Sequence, residues 1–256
     1  MMNSQQRAEL AALCRAVQWE VNLAAYSTFR TGGVVEALVE VSQDDELAVL
    51  LQWLHRHAVP WQVIGGGSNI LVATRRHDGV FIRLRGATRD IVLQPADQLS
   101  GHDRLVRVNA GCGLAALVGW CTKHGLSGLE FMAGIPGSVG GAVRMNAGAF
   151  GHSIGERIEA VLCFTDRGLA IEADRSELQL AYRSTRLPGE PQTRMLITGV
   201  VLRMRHADRR EIAEQCREII GQRKQKQPQG VGSAGSFFKN PAGDFAGRLI
   251  ERAGLK

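Results

Sequence analysis

Three short stretches of this 256-residue chain combine residue types and spacing that could do chemistry. Residues 63–72 read VIGGGSNILV. Gly65 and Gly67 satisfy the first half of the G-x-G-x-x-G dinucleotide fingerprint, but its third position is Ile70. Ile70-Leu71-Val72 has the composition of a strand, not of a helix start. The triplet Gly65-Gly66-Gly67 is therefore read as a nest between strands. Its backbone N–H groups are unobstructed by Cβ atoms, with Ser68 and Asn69 as side-chain donors, and such a nest binds phosphate without a helix N-terminus. Residues 132–151, MAGIPGSVGGAVRMNAGAFG, form a second segment dense in glycine. Long glycine loops are entropically costly, so a plain connection explains this segment poorly. Either stretch alone could be a tight turn; together they suggest an extended ligand held at two places, and a dinucleotide fits.

The third stretch is GSAGSFFKNP, 232–241. Ser236 is not in a G-x-S-x-G nucleophile elbow, because position 238 is Phe. Its hydroxyl could instead protonate a carbanion-like centre as a general acid, a helix-entry turn being the bland alternative. Arg203, Arg205, Arg209 and Arg210 read as a solvated face. Arg223, Lys224 and Lys226 precede a proline-glycine stretch leading to Ser236 and suit diphosphate contacts.

The elements that must position these stretches follow from periodicity. Leu10, Leu13, Cys14 and Val17 make one face of an opening helix, and Leu47, Leu50, Leu51 and Leu54 a second, begun by a capping-box variant at Ser42-Gln43-Asp44-Asp45. Leu114, Leu117, Val118 and Cys121 make a third, stopped by Gly125, and Ile212, Cys216, Ile219 and Ile220 a fourth on a basic helix over 208–223. Strand-like runs occupy 34–41, 61–64, 70–73, 79–84, 104–109, 158–164 and 195–204, with a turn signal at His77-Asp78-Gly79. The pattern is α+β with mixed or antiparallel sheet. A boundary near 205 divides it: 1–21 as an N-terminal helix, 22–205 as a main domain (subdomains 22–86 and 87–205), and 206–256 as the start of another.

A formal charge of +6 favours anionic partners, while an aromatic content of 5% argues against nucleic acid, which needs exposed rings or a base-reading helix. Five scattered cysteines without C-x-x-C exclude a disulfide framework or zinc site and suit a reducing cytoplasm; no metal site is expected. No signal core or stretch of about 20 apolar residues is present, so membrane insertion is not expected, and a cytoplasmic monomer is.

In order, YSTFRTGG (26–33), VIGGGSNILV (63–72), AGCGL (110–114), GLEFMAGIPGSVGGAVRMNAGAFG (128–151), LAYRSTRL (180–187) and GSAGSFFKNP (232–241) resemble the UDP-N-acetylenolpyruvoylglucosamine reductase (UDP-N-acetylmuramate dehydrogenase) family of peptidoglycan synthesis. The resemblance implies an FAD-binding domain of the vanillyl-alcohol-oxidase (PCMH) type, built of two α+β subdomains, followed by an incomplete α+β substrate-binding domain. It implies non-covalent FAD held by Ile64, Gly65, Gly66, Gly67, Ser68 and Asn69, and by Ala133, Gly134, Ile135, Pro136, Gly137, Ser138, Gly140, Gly141, Asn146, Ala147 and Gly148. The implied reaction is reduction of a UDP-sugar enolpyruvyl ether by NADPH through FAD. Arg183 would stabilise the substrate's carboxylate and developing negative charge, and Ser236 would donate the proton. Tyr182, Lys224, Lys226, Lys239 and Asn240 would bind the substrate. The short spacing after Arg183 matches the subgroup without a long tyrosine-bearing insertion. The family also supplies a catalytic glutamate from a C-terminal region beyond the point matched by Lys256. Glu251 sits in an ordinary helix pattern and is no substitute, so a truncated form is expected to keep FAD binding better than turnover. Rival readings are a catalytically impaired FAD-binding fragment, another flavin oxidoreductase of this fold acting on an alcohol, and, remotely, a nucleic-acid binder.

Overall fold

The computed structural model describes residues 1–86, 90–95, 101–226, 235 and 238–255. Helix α1 (Ser4–Leu13) opens with a capping box between Asn3 and Gln6 and buries Leu10. It does not continue through Cys14 and Val17 as the apolar spacing predicts: Cys14 is its extended C-cap, and Val17 begins strand β1 (Val17–Asn22). Over β1 the polar residues Gln18, Glu20 and Asn22 alternate with Val17, Trp19 and Val21, and this period-two pattern prevails once β2 (Val34–Val41) offers a pairing edge. Residues 1–21 are thus a helix plus an edge strand, not an independent helix.

The first sheet has the order β1-β2-β4-β3, with β3 at Trp61–Val63 and β4 at His77–Leu84. The β1–β2 pair is antiparallel, whereas β2, β4 and β3 run parallel. Helix α2 (Asp44–Arg56) contributes Leu47, Leu50, Leu51 and Leu54 to the adjoining core. Its N-cap is Gln43 without a side-chain cap bond, so the expected capping box is absent, and Asp44, Asp45 and Glu46 complement the N-terminal dipole instead. Two further expectations fail here. His77-Asp78-Gly79 is no turn but the start of β4, where Gly79 takes φ +87° beside the Pro60 carbonyl. Ile70–Val72 is coil, because Val72 turns into a small core with Ile64 and Leu23 while Leu71 stays exposed.

The second, six-stranded sheet is antiparallel, in the order β11-β10-β14-β6-β5, with β7 (Leu126–Ser127) on the end of β14. Its strands are β5 (Ile91–Leu93), β6 (Asp103–Asn109), β10 (Ile158–Thr165), β11 (Ala170–Asp174) and β14 (Met195–His206). Its core also takes in α3 (Leu114–His124), which Gly125 ends at φ +67°, and the six-residue α4 (Val139–Arg144). Helix α5 runs Arg209–Lys226, so Arg223, Lys224 and Lys226 stand on helix. Its Ile212 and Cys216 are buried in this same core, so α5 packs with the second sheet's layer and does not open a separate unit. Phe164 and Leu196 reach from the second sheet into the first core, joining the two. All five cysteines are buried, and burial pushes the Cys121 thiol up to about 12. By contrast, α6 (Ala246–Arg252) buries no residue, and Phe245 and Leu249 are exposed. No helix among the described residues is long and apolar enough to cross a membrane.

Candidate functional site

The two glycine segments lie about seventy residues apart in sequence and touch in space. A Cβ on Gly65 would lie 2.4 Å from Ser138 Oγ, and one on Gly66 would lie 2.7 Å from Gly137 Cα. Ser68 Oγ donates to the Pro136 carbonyl at 3.0 Å, clasping the pair. From the other side Gly67, at φ +66°, is met by the Tyr26 carbonyl, and the Thr28 N–H donates to the Gly67 carbonyl at 3.1 Å. Only a residue without a Cβ fits between these backbones.

The first loop keeps its donors unused. Among the described residues, none of the five N–H groups of 65–69 has a hydrogen-bond acceptor, whereas Ile64 N–H donates to the Ile82 carbonyl and its side chain is core. Gly65, Gly66 and Asn69 are exposed. A run of unpaired N–H groups at a surface is a ready anion receptor.

The second segment is built differently. It is not one long loop: Ser138 caps α4, accepting from Gly141 N–H, while Val139 and Gly140 N–H donate to the Cys112 and Ala110 carbonyls. Ala133 and Ala147 are buried, Ile135 packs against the core, and Gly148 pairs with Ser153 in the hairpin β8 (Gly148–Ala149)–β9 (His152–Ser153). The N–H groups of Gly140 and Gly141 are thus taken up within the fold, Ala147 is buried, and Gly148 is held in a hairpin, while Gly141 itself is exposed. The surface this segment offers toward the first loop is Pro136, Gly137 and Ser138. Gly134, exposed at φ +75°, lies against Arg223, whose Nε would be 3.5 Å from an added Cβ. That Nε is buried without a hydrogen-bond partner among the described residues, and burial pushes the pKa down. The unpaired, partly desolvated guanidinium beside Gly134 and the run of unpaired N–H groups at 65–69 each call for a negatively charged ligand. These residues fit a diphosphate-bearing cofactor.

Tyr182 and Arg183 form the two-residue turn of a hairpin, β12 (Gln179–Ala181) and β13 (Ser184–Arg186), with Arg183 at φ +58°. The hairpin is fastened to α4: Thr185 Oγ1 donates to the Val143 carbonyl at 2.6 Å, and Arg144 donates to the Thr185 and Met195 carbonyls and pairs with Glu190 at 2.9 Å. Sequence reasoning missed Arg144 and Thr185, although the interior of a glycine motif is where such a charge signals an anchor. The Arg183 guanidinium lies 5.6 Å from the Tyr182 ring centroid and has no carboxylate partner among the described residues. Asn240 N–H reaches the Tyr182 hydroxyl at 3.4 Å, and Gly235 lies against Ser68 and Asn69. The C-terminal segment thus touches both the nest and the hairpin. Lys224 and Lys239 are exposed; Ser236 and the Lys226 side chain lie outside the described residues. Arg203 stands on β14, half-buried and paired with Glu159 and Asp103, and so leaves the expected solvated face, whereas Arg205, Arg209 and Arg210 are exposed; Glu251 is exposed on α6.

A nest set between parallel strands, facing a glycine segment of an antiparallel second sheet, defines an FAD-binding domain of the vanillyl-alcohol-oxidase type. Residues 35–174 match the FAD binding domain family, and residues 227–256 match the UDP-N-acetylenolpyruvoylglucosamine reductase C-terminal domain. The chain is 38% identical over 234 residues to UDP-N-acetylenolpyruvoylglucosamine reductase 2 of Symbiobacterium thermophilum, covering 91% of this chain and 72% of that protein. It is 37% identical over 241 residues to the reductase of Syntrophus aciditrophicus, covering 94% and 75%. The crystal structure of UDP-N-acetylenolpyruvylglucosamine reductase from Thermus caldophilus superposes with a TM-score of 0.75 at 37% identity, covering 94% of this chain and 82% of that one. An alkyldihydroxyacetonephosphate synthase, at 17% identity and TM-score 0.57 over 80% of this chain and 41% of its own, shares the fold alone. The chain belongs to the UDP-N-acetylenolpyruvoylglucosamine reductase family.

Proposed function

We propose that the chain reduces UDP-N-acetylglucosamine-enolpyruvate to UDP-N-acetylmuramate, with bound FAD and NADPH as reductant, in peptidoglycan precursor synthesis. FAD supplies the hydride chemistry when bound; the protein's own part is positioning and electrostatics. The observation that carries the reading is the run of unpaired N–H groups at 65–69 closing on Gly137, with the unpaired Arg223 beside Gly134. Those groups hold the diphosphate non-covalently. Arg183, a cation without a carboxylate partner among the described residues, takes the substrate carboxylate and steadies the charge that develops as the double bond is reduced. Ser236 donates the proton to the adjacent carbon. Tyr182, Asn240, Lys239, Lys224 and Lys226 bind the UDP-sugar, their positive charge matching its diphosphate.

Purified protein should be yellow and release FAD on denaturation, leaving no flavin attached. A colourless preparation that cannot be reconstituted with FAD would sink the proposal. Ser236→Ala should leave reduction by NADPH intact while slowing reoxidation by substrate about 100-fold or more; equal loss of both steps would remove the proton-donor role.

A further inference from the structure

The hairpin that presents Arg183 is a two-stranded ribbon outside both large sheets. Such a ribbon is marginal by itself in water, so whatever fastens it sets where its turn sits. One fastener stands out. Asn146, at φ +39°, directs its side-chain amide to two different segments: Oδ1 accepts from Gly155 N–H at 3.0 Å, and Nδ2 donates to the Ala181 carbonyl, also at 3.0 Å. The amide's orientation is forced, because a main-chain N–H must face Oδ1 and a carbonyl must face Nδ2. Gly155 has no room for a Cβ, which would lie 2.6 Å from Asn146 Oδ1. Ala181 is the last residue before the Tyr182-Arg183 turn, and Thr185 is bound to Val143 just beyond it. The turn is therefore pinned on both strands. Both pins belong to residues 143–146, the C-terminal end of α4 and its exit, while Ser138 at the other end abuts Gly65. Six helical residues, about 9 Å, separate the cofactor nest from the anchor of the arginine.

We infer that Asn146 is a positioning residue for Arg183 and not a cofactor ligand. Its amide ties the arginine-bearing turn to the segment that faces the nest, and so fixes the distance between the bound dinucleotide and the cation that takes the substrate carboxylate. The inference rests on the proposed reductase reading for the role of Arg183, while the tether itself rests on the two hydrogen bonds.

Asn146→Asp is the sharp test. Aspartate tolerates positive φ and still accepts from Gly155 N–H, but it faces the Ala181 carbonyl with an oxygen in place of a donor. Three measurements on the full chain decide: bound FAD per protein, amide hydrogen exchange in residues 179–186, and single-turnover reoxidation of the reduced protein by the enolpyruvyl substrate. FAD content should be unchanged, exchange in the hairpin should accelerate about tenfold or more, and reoxidation should slow about 10- to 100-fold. In an Arg183→Ala background the same change should slow reoxidation less than about twofold, since the residue acts through the arginine. Thr185→Val, which removes the hydroxyl bond to Val143 but leaves the Arg144 bond to the Thr185 carbonyl and keeps side-chain shape, should give the same pattern more weakly. Loss of FAD with unchanged hairpin exchange, or equal slowing in both backgrounds, would overturn the inference. If wild-type protein binds no FAD or is not reoxidised, the reductase reading fails; unchanged exchange in Asn146→Asp would then refute the tether as well.

Discussion

The loop at 64–69 and the segment at 133–148 are both dense in glycine and meet face to face, yet they are built on opposite principles. In the first, the N–H groups of 65–69 are unpaired among the described residues, and the loop is gripped through its carbonyl and its Ser68 hydroxyl. In the second, Val139, Gly140, Ala142, Met145, Asn146 and Ala147 all direct their N–H groups into the fold, and α4 buries Val139, Ala142 and Val143. Glycine in the first lets the loop close on Ser138, Gly137 and the Tyr26 carbonyl while its N–H groups stay unpaired among the described residues. In the second it mostly lets a short helix press on the second sheet, as where a Cβ on Gly140 would lie 2.8 Å from that of Ala110. High glycine content therefore marks close approach, and only the hydrogen-bond accounting tells a ligand's approach from the protein's own.

The largest expected effect sets the two segments against each other. Gly67→Ala combines φ +66° with a Cβ placed 1.9 Å from the Tyr26 carbonyl oxygen, and should cost about 3 kcal/mol or more of stability and abolish FAD retention. Gly140→Ala keeps a helical conformation and gains helix propensity against its tighter contact, so a loss of about 1 kcal/mol with FAD retained is expected. Thermal melts and flavin absorbance of both variants check this, and equal FAD loss would erase the distinction.

A smaller effect concerns the strand seam that carries the first loop. Glu36 on β2 is fully buried and accepts from Gly79 N–H of β4 at 3.0 Å, from Arg7 at 2.9 Å and from Met2 N–H at 2.9 Å. Burial acts to raise its pKa, but these donors outweigh it and hold the carboxyl below its ordinary value. A depressed carboxyl stabilises the fold above the unfolded-state value near 4.5, and that contribution is lost as pH falls through the folded value. Glu36→Gln should cost about 2 kcal/mol at neutral pH and flatten the acid limb of a melting-temperature profile below about pH 4.5. An unchanged acid limb would show the clamp to be without consequence.

The smallest effect sharpens the role of Arg223 at the edge of the second segment. Arg223→Met should weaken FAD binding about tenfold, measured by flavin titration, while leaving the FAD-free protein as stable or slightly more so, because an unpaired desolvated cation is removed. Loss of stability without a change in FAD affinity would make Arg223 a packing residue.

Much of the scaffold was legible in the chain. The apolar faces of α2, α3 and α5 and most long strands follow periodicity, because each must bury one face against a sheet. The errors came where tertiary pairing outbid local pattern. Val17 left the helix for the edge of β2, His77-Asp78-Gly79 joined β4 through a glycine at φ +87°, and Ile70-Leu71-Val72 stayed coil because its one buried residue anchors a loop. In the site, Gly65, Gly66 and Gly67 were readable as a nest and Arg183 only through the family resemblance, its place on a hairpin turn being set by the fold. Asn146 was readable only as a member of the motif, since its two partners, Gly155 and Ala181, are set by how the chain folds back.

The sequence by itself determined the family, the α+β class and which residues could meet a diphosphate, since an ordered set of motifs is a property of residue types and spacing. Tertiary structure alone decided which N–H groups stay unpaired, that the two glycine segments touch, and that α4 carries the hairpin of Arg183. Those are facts about which donor meets which acceptor across distant parts of the chain, and local sequence does not encode that pairing.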